Sequence, residues 1–379
     1  MMSKIPYNRP VLAGRELAYI SQAIENGQLA GDGPFTSRCQ ELLRKRLNAE
    51  AVLLTHSCTA ALEMAAILIG IQPGDEVIMP SFTFVSTANA VVLRGGTPVF
   101  VDIRPDTLNI DEKLIEAAIN SKTRSIWPVH YAGVSADMQE ICAIADRHGL
   151  TVVEDAAQAL GSTYRNRPAG SFGDLAALSF HETKNIISGE GGALAINNSA
   201  LMERAEIIRE KGTNRKRFFR GQVDKYTWVD IGSSFLPGEL IAAFLLGQLE
   251  KADEINSHRL TTWDNYFNAF VRYQDRGLRV PYTPSECKHN GHLFHLILPD
   301  EDARHEFIAR MRTDDVMTPF HYVPLHSAPA GKFYGRVHAD LPCTDDLSAR
   351  LVRLPLFPNI GDLAERVVER ACVHLDALL

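Results

Sequence analysis

Short apolar runs alternate with helical stretches through the first half of the chain, and this alternation restricts the fold more than any single motif. The runs are Ala51–Leu54, Glu76–Met79, Pro98–Asp102, Ser125–Val129, Val152–Glu154, Ala176–Phe180 and Ala193–Ile196. Helical stretches fall at 36–50, from Thr55 to about Ile69, from after Phe84 to about Leu93, at Glu112–Ile119 and at Asp137–His148. Strands alternating with helices predict βαβ units and a mostly parallel sheet of the α/β class. In such sheets ligands bind outside the carboxyl ends of the strands. The residues just past each run are therefore the first to examine.

Two of them stand out. Lys184 follows the run Leu175–Phe180 on a loop of small and polar residues, Ser179-Phe180-His181-Glu182-Thr183-Lys184-Asn185, with Gly189-Glu190-Gly191-Gly192 after it. A desolvated lysine amine loses its proton readily and can form a Schiff base. Asp155 falls at the end of Val152-Val153-Glu154. Alone, Lys184 reads as a surface lysine and Asp155 as a helix N-cap. Together, on strand termini, they match what pyridoxal phosphate requires: an amine for its aldehyde and a carboxylate for its pyridine nitrogen. The segment Ser57-Cys58-Thr59-Ala60 then reads as a phosphate site at a helix start, where backbone N–H groups and the helix dipole favour an anion. Phe82 and Phe84 are candidates to stack on a planar ring, with the core as the alternative.

The rest of the chain is less specific. Gly31-Asp32-Gly33-Pro34 is a turn or the wall of a pocket. Arg215, Lys216, Arg217 and Arg220 lie in a long irregular stretch over 212–236, suited to a diphosphate or to a solvated face. Helices are expected at Pro237–Glu250 and onward to about Tyr273, then a strand at Leu293–Leu298 and a helix at Asp302–Arg312. His321-Tyr322-Val323-Pro324-Leu325-His326 is a rigid loop with polar rings. His292 and His295 differ in strand parity, and no cysteine or carboxylate completes a zinc set, so no metal is expected. The formal charge of −7 argues against a nucleic-acid partner. Six scattered cysteines without a C-x-x-C pair point to a reduced compartment. The first residues lack the apolar stretch of a signal peptide, and no apolar run is long enough to span a membrane. A cytoplasmic location is therefore expected. No G-x-G-x-x-G follows the first strand, which disfavours a nicotinamide-dependent dehydrogenase.

These motifs, with Pro73–Ile78, Pro80–Phe84, Pro98–Asp102, Glu154–Gln158 and His321–His326, resemble the DegT/DnrJ/EryC1/StrS sugar aminotransferases over essentially the whole chain. The resemblance implies the type I aspartate aminotransferase fold, with a large mostly parallel-sheet domain over 1–250 and a smaller α+β domain over 251–379. It implies pyridoxal 5′-phosphate on Lys184, Asp155 at the pyridinium nitrogen and Gln158 at the phenolic oxygen. Phe84 would stack on the ring. Ser179 and Cys58-Thr59-Ala60 would hold the phosphate, with Ser234 of a partner subunit completing it. Relatives usually have Gly at the position of Cys58 and Asn at that of Ser234. Arg215, Arg220, His321, Tyr322, His326, Gly31 and Asp32 are candidates for the substrate. The spelling of Ser179–Asn185 resembles the subgroup that aminates TDP-4-keto-6-deoxyglucose with L-glutamate in enterobacterial common antigen synthesis. The implied assembly is a homodimer or a dimer of dimers. Sugar dehydratases of the family carry His in place of the lysine; other nucleotide-linked keto-sugars, and a non-catalytic regulator on the same scaffold, remain alternatives.

Overall fold

The computed structural model describes residues 4–379. Its strands are β1 Ala51–Thr55, β2 Glu76–Pro80, β3 Thr97–Val101, β4 Thr123–Ile126, β5 Thr151–Asp155, β6 Leu175–Ser179, β7 Gly192–Ile196, β8 Phe294–Ile297, β9 Arg336–Val337 and β10 Leu351–Leu354, besides three two-residue strands that pair with one another in a small separate sheet. The main sheet has eight strands in the order β1-β7-β6-β5-β4-β2-β3-β9. Its pairs are parallel except where β7 runs antiparallel between β1 and β6. This is the type I α/β fold.

Alternate residues of the central strands feed two cores. On β6, Leu175 and Ala177 pack beneath the helix Cys58–Leu68 with Leu53, Val77 and Val153. Ala176 and Leu178 face the other way, onto Leu43, Leu246 and Leu249 of the helices Pro34–Leu47 and Glu239–Leu249. Burial on both faces is why these strands read as continuous apolar runs.

A further core gathers Trp263, Tyr266, Phe294, Leu296, Phe307, Val352, Leu354 and Leu375 around the antiparallel pair β8–β10. The N-terminal segment joins it: Ile5 is fully buried there and bridges to Val316. The C-terminal region also reaches back to the main sheet. β9 pairs with β3, and Arg336 grips Glu76 with two hydrogen bonds of 3.0 and 2.6 Å.

Several boundaries differ from those expected. The helix expected over 36–50 spans Pro34–Leu47, because proline suits the first helical position and Asn48 ends the helix at φ 51°. The stretch over 212–236 contains a short helix, Arg215–Phe219. The long helix ends at Phe270, and a 3-10 segment then runs to Arg276 before Gly277, φ 92°.

Beneath Asp155, Glu154 ties the sheet to the following loop. Its buried carboxylate accepts the N–H groups of Gly170, Phe172 and Gly173 at 2.8, 2.6 and 2.7 Å, and lies 2.8 Å from His130 Nε2. His130 Nδ1 accepts the Ala136 N–H at 3.1 Å, so Nε2 carries the proton donated to Glu154. Glu154→Gln should cost about 2–4 kcal/mol, since it replaces a charged acceptor by an amide that presents N–H to N–H. Urea denaturation measures this, and a loss below about 1 kcal/mol would contradict the role given to Glu154.

Candidate active site

The geometry of the site follows from β7. Its first residue, Gly192, lies in register with the last residue of both neighbours, Thr55 on one side and Ser179 on the other. A Cβ at Gly192 would run into the backbone of Ser57 and Cys58. Glycine therefore lets the turn after β1 lie directly over the start of β7. From that turn rises the helix Cys58–Leu68, whose first turn leaves backbone N–H groups unspent inside the helix. Ser57 Oγ caps one of them, the Ala60 N–H, at 3.0 Å. Thr59 Oγ1 lies 2.7 Å from Ser86 Oγ. The half-buried hydroxyls of Ser179 and Thr59 and the free N–H groups form a concave donor set at a helix N-terminus, suited to a phosphate.

Lys184 sits on a tight loop closed by backbone hydrogen bonds. Its N–H donates to the His181 carbonyl at 2.8 Å, and Glu182 N–H to the Gly189 carbonyl at 2.8 Å. The next residue, Asn185, is buried and pinned. Its Nδ2 donates to Asn256 Oδ1 and to the Asn290 carbonyl, both at 2.8 Å, and its Oδ1 lies 2.9 Å from His292 Nδ1. From the other side Asn8 Nδ2 donates to the Glu182 carbonyl at 2.8 Å. The lysine is half-buried as a residue, and its amine lies close enough to Cys58 and Asp155 to feel their charges. Desolvation lowers its pKa, opposed by Cys58 and Asp155 and reinforced by the cation of Arg353. The same crowding drives the Cys58 thiol well above its ordinary value.

Asp155 is buried at the end of β5. Thr87 Oγ1 donates to its Oδ2 at 2.7 Å, and the Ala157 N–H to its Oδ1 at 3.2 Å. Thr83 Oγ1 stands 3.0 Å from Thr87 Oγ1. Two oxygens held by separate donors fix the direction in which the carboxylate presents its charge. Gln158 is held at both ends: Oε1 accepts the Ala132 N–H at 2.7 Å, and Nε2 donates to Tyr322 Oη at 3.0 Å. Next to Tyr322, His321 Nδ1 lies 3.0 Å from Tyr131 Oη. Burial, with Arg353 and Lys184 nearby, keeps His321 well below its ordinary pKa and hence neutral. Phe82 is core, edge-on to Tyr131 at 5.0 Å. Phe84 is 57% exposed, 6.5 Å from the Tyr322 ring.

Other residues singled out in the sequence have their own partners. Arg220 is bound by Glu206 through two hydrogen bonds of 3.0 and 2.7 Å, and Arg215 donates to Glu210 at 3.1 Å. Asp32 pairs with the buried Arg209. A Cβ on Gly31 would meet Pro237 and Leu236, so the 31–34 loop packs closely on that segment. His326 Nδ1 lies 2.8 Å from Ser81 Oγ, and its Nε2 3.2 Å from Asp345. Ser234 is exposed, beside Phe235, whose carbonyl accepts the His56 N–H at 2.9 Å.

The parity argument for His292 and His295 fails, because β8 begins at Phe294 and both rings are buried. Among the described residues no group of three or more His, Cys, Asp or Glu is arranged to hold a metal. Thr87, Tyr131, Asn8 and Arg353, and the anchoring role of Asn185, escaped the reading of the sequence. Their partners lie tens to hundreds of positions away, and no local pattern announces them.

The donor set, the desolvated Lys184 and the fixed Asp155 fit pyridoxal phosphate. Gly192→Ala should weaken its binding more than tenfold, by pushing the Ser57–Cys58 turn away from β7, while far-UV circular dichroism stays unchanged. Titration of the apo-protein by visible absorbance measures this; unaltered affinity would mean that the close approach is incidental.

The sequence profile of the DegT/DnrJ/EryC1/StrS aminotransferase family matches residues 10–371. The chain is 35% identical over 369 residues to the spore coat polysaccharide biosynthesis protein SpsC of Bacillus subtilis, covering 94% of this chain and 93% of that one. Among solved structures, the aminotransferase TlmJ of Streptoalloteichus hindustanus superposes with a TM-score of 0.91 at 28% identity, covering 99% of both chains. NtdA of Bacillus subtilis, solved with bound cofactor PMP, gives 0.88 at 30% identity over 99% of this chain and 86% of its own. The chain belongs to the DegT/DnrJ/EryC1/StrS family of sugar aminotransferases, enzymes dependent on pyridoxal phosphate.

Proposed function

We propose that the protein moves the amino group of L-glutamate to C4 of TDP-4-keto-6-deoxy-D-glucose, giving 2-oxoglutarate and TDP-4-amino-4,6-dideoxy-D-galactose. The observation that carries the reading is Lys184, half-buried on a pinned loop near the buried, doubly donated Asp155. The choice of sugar rests on the spelling Ser179–Asn185, which resembles the subgroup serving enterobacterial common antigen. A second reading, another nucleotide-linked keto-sugar, draws support from SpsC, a relative named for spore coat polysaccharide.

In this reading Lys184 carries the cofactor, and Asp155 keeps the pyridine nitrogen protonated. Gln158 faces the phenolic oxygen and Phe84 the ring. Ser179, the Thr59 hydroxyl and the N–H groups of Cys58 and Thr59 hold the phosphate, the Ala60 N–H being taken by the Ser57 cap. When bound, pyridoxal phosphate supplies an aldehyde for the donor's amine and an electron-poor ring that stabilises negative charge on the neighbouring carbon. Lys184, once free, is the base that moves the proton between that carbon and the cofactor, and its lowered pKa suits the task. His321, Tyr322 and His326 line the sugar side, with Gly31 and Asp32 on the opposite wall. Arg215 and Arg220 meet the diphosphate from the exposed segment.

The reading includes a homodimer or dimer of dimers in the cytoplasm, with Ser234 reaching the partner's phosphate. The exposed Phe219 (69%) and Trp228 (78%) near it support a covered face. No helix is long and apolar enough to cross a membrane among the described residues. A large cofactor domain ending near residue 250, followed by a smaller one, is supported by the separate core around β8 and β10.

The test is an absorbance spectrum of the protein with pyridoxal phosphate before and after L-glutamate, for wild type and Lys184→Ala, and then with keto-sugars. A visible band that needs Lys184, is bleached by glutamate and is restored by TDP-4-keto-6-deoxyglucose is expected. Faster restoration by a 3-keto sugar would sink the substrate assignment. Arg220→Ala should raise the KM for the sugar nucleotide far more than that for glutamate. Equal effects would show that its pairing with Glu206 is all it does.

A further inference from the structure

Residues 289–292 form a strap between two parts of the fold. Before them, Cys287–Lys288 pairs with Thr163–Tyr164, a few residues beyond the loop of Gln158. After them, β8 opens the C-terminal core at Phe294. From the long helix Ala252–Phe270, the buried Arg259 donates to the carbonyls of Gly291 and His292. The strap is thus fixed from one side to a regular element.

On the other side it holds two loops of the cofactor site at once. Asn290 Nδ2 donates to the carbonyls of Gln158 and Leu160 at 2.9 and 3.0 Å. The Asn290 carbonyl accepts from Asn185 Nδ2, whose other N–H goes to Asn256 Oδ1. Both N–H groups of that amide are spent, so Asn185 Oδ1 is the acceptor and His292 carries its proton on Nδ1. Asn256 adds a longer bridge, its Nδ2 3.3 Å from the Leu160 carbonyl. Asn290 therefore stands between the loop of Lys184 and the loop of Gln158.

This placement has a cost. Asn290 Oδ1 is buried without a partner, against Gly133, where a Cβ would collide with it. Turning the amide over would set that oxygen against two carbonyl oxygens instead. A buried acceptor left unpaired destabilises a fold. What the stranded oxygen secures is a pair of N–H groups aimed at the Gln158–Leu160 turn. The bridging side chains, Asn185, Asn256 and Asn290, are all neutral amides. They fix position without adding a charge beside Lys184, where Asp155, Cys58 and Arg353 already act.

We propose that Asn290 is a positioning residue of the active site: joined through Asn185 to the lysine loop and through its own side chain to the loop of Gln158, it sets the spacing of the two. The inference rests on the transamination reading above and adds to it the device that aligns its lysine. The links act in series, from the lysine loop to Asn185, from Asn185 to Asn290, and from Asn290 to the Gln158 turn. Once Asn185 is cut away, the Asn290 side chain has no lysine loop left to align.

The test compares wild type with Asn290→Ala, Asn290→Ser, Asn185→Ala and the double variant Asn185→Ala/Asn290→Ala. Arg336→Gln, which breaks the pair with Glu76 at the far edge of the main sheet, controls for lost stability. Amide hydrogen exchange on the apo-protein needs neither cofactor nor donor. It should quicken about tenfold over both 156–162 and 180–190 in the two single Ala variants, the scale of one lost buried hydrogen bond, and stay unchanged there in Arg336→Gln. With pyridoxal phosphate bound, the limiting rate of the glutamate half-reaction should fall about tenfold or more, as a misplaced base does. The glutamate concentration at half-saturation should move less than about threefold. Asn290→Ser, whose hydroxyl can serve one carbonyl, should fall between Ala and wild type. The double variant should match Asn185→Ala within about twofold in both measurements. Losses that multiply in the double variant, exchange that quickens in one loop only or in neither, or equal losses in Arg336→Gln would each overturn the proposal, as would a change in half-saturation without a fall in rate. A wild type indifferent to L-glutamate would instead sink the donor assignment, and the exchange measurements alone would then decide for or against Asn290.

Discussion

The close approach of two backbones at Gly192 is the constraint on which the rest of the site depends. β7 is the one antiparallel strand among parallel neighbours in the main sheet, so it begins where β1 and β6 end. That reversal brings the glycine-rich turn to the ligand-binding edge. It packs the turn at Ser57–Cys58 against Gly192, with no room for a side chain between them. The phosphate-binding helix and the lysine loop are thereby set from the two sides of one residue. Parallel strands alone would have carried that turn to the opposite edge of the sheet.

Around this point the protein invests in buried polar contacts rather than in apolar packing. Glu154, Asp155, Gln158 and Asn185 each have two or more hydrogen-bond partners, and most are backbone groups of loops. A fully satisfied network in a low-dielectric surrounding is rigid and specific. Alternation along β5 divides the labour. Glu154 stabilises the loop after residue 169, whereas Asp155 is held by Thr87 and Ala157 beside Lys184. Lys184 is the complement of this order, an amine kept short of water by groups whose own positions are fixed.

The chemistry was more legible in the sequence than the scaffolding that aims it. Lys184 and Asp155 stand at the ends of recognisable strands, and the alternation of strand and helix placed those ends on one edge. The partners of these residues lay beyond reach. Thr87 meets Asp155 across 68 positions and Asn290 meets Asn185 across 105, and nothing in either neighbourhood marks the pair. Histidine parity misled because His292 lies outside β8, which starts at Phe294. The basic run at 215–220 read as free charge, yet the acidic residues of the preceding helix neutralise much of it. Arg353 went unnoticed too: a lone arginine in an apolar stretch looks like a surface residue until its donations to Tyr7 and the Phe320 carbonyl are seen.

The N-terminal segment has a consequence for how the enzyme comes into being on the ribosome. Ile5 bridges to Val316, and three residues later Asn8 secures the lysine loop. Contacts so remote in sequence carry a high loop-closure cost and form late. The segment around Ile5 must therefore wait for the chain around Val316 before it docks. The main sheet, complete in all but its edge strand by residue 196, can assemble on the emerging chain. The lysine loop receives its final tether only after the C-terminal core closes, so a truncated nascent chain would hold a formed sheet but an unfinished catalytic loop.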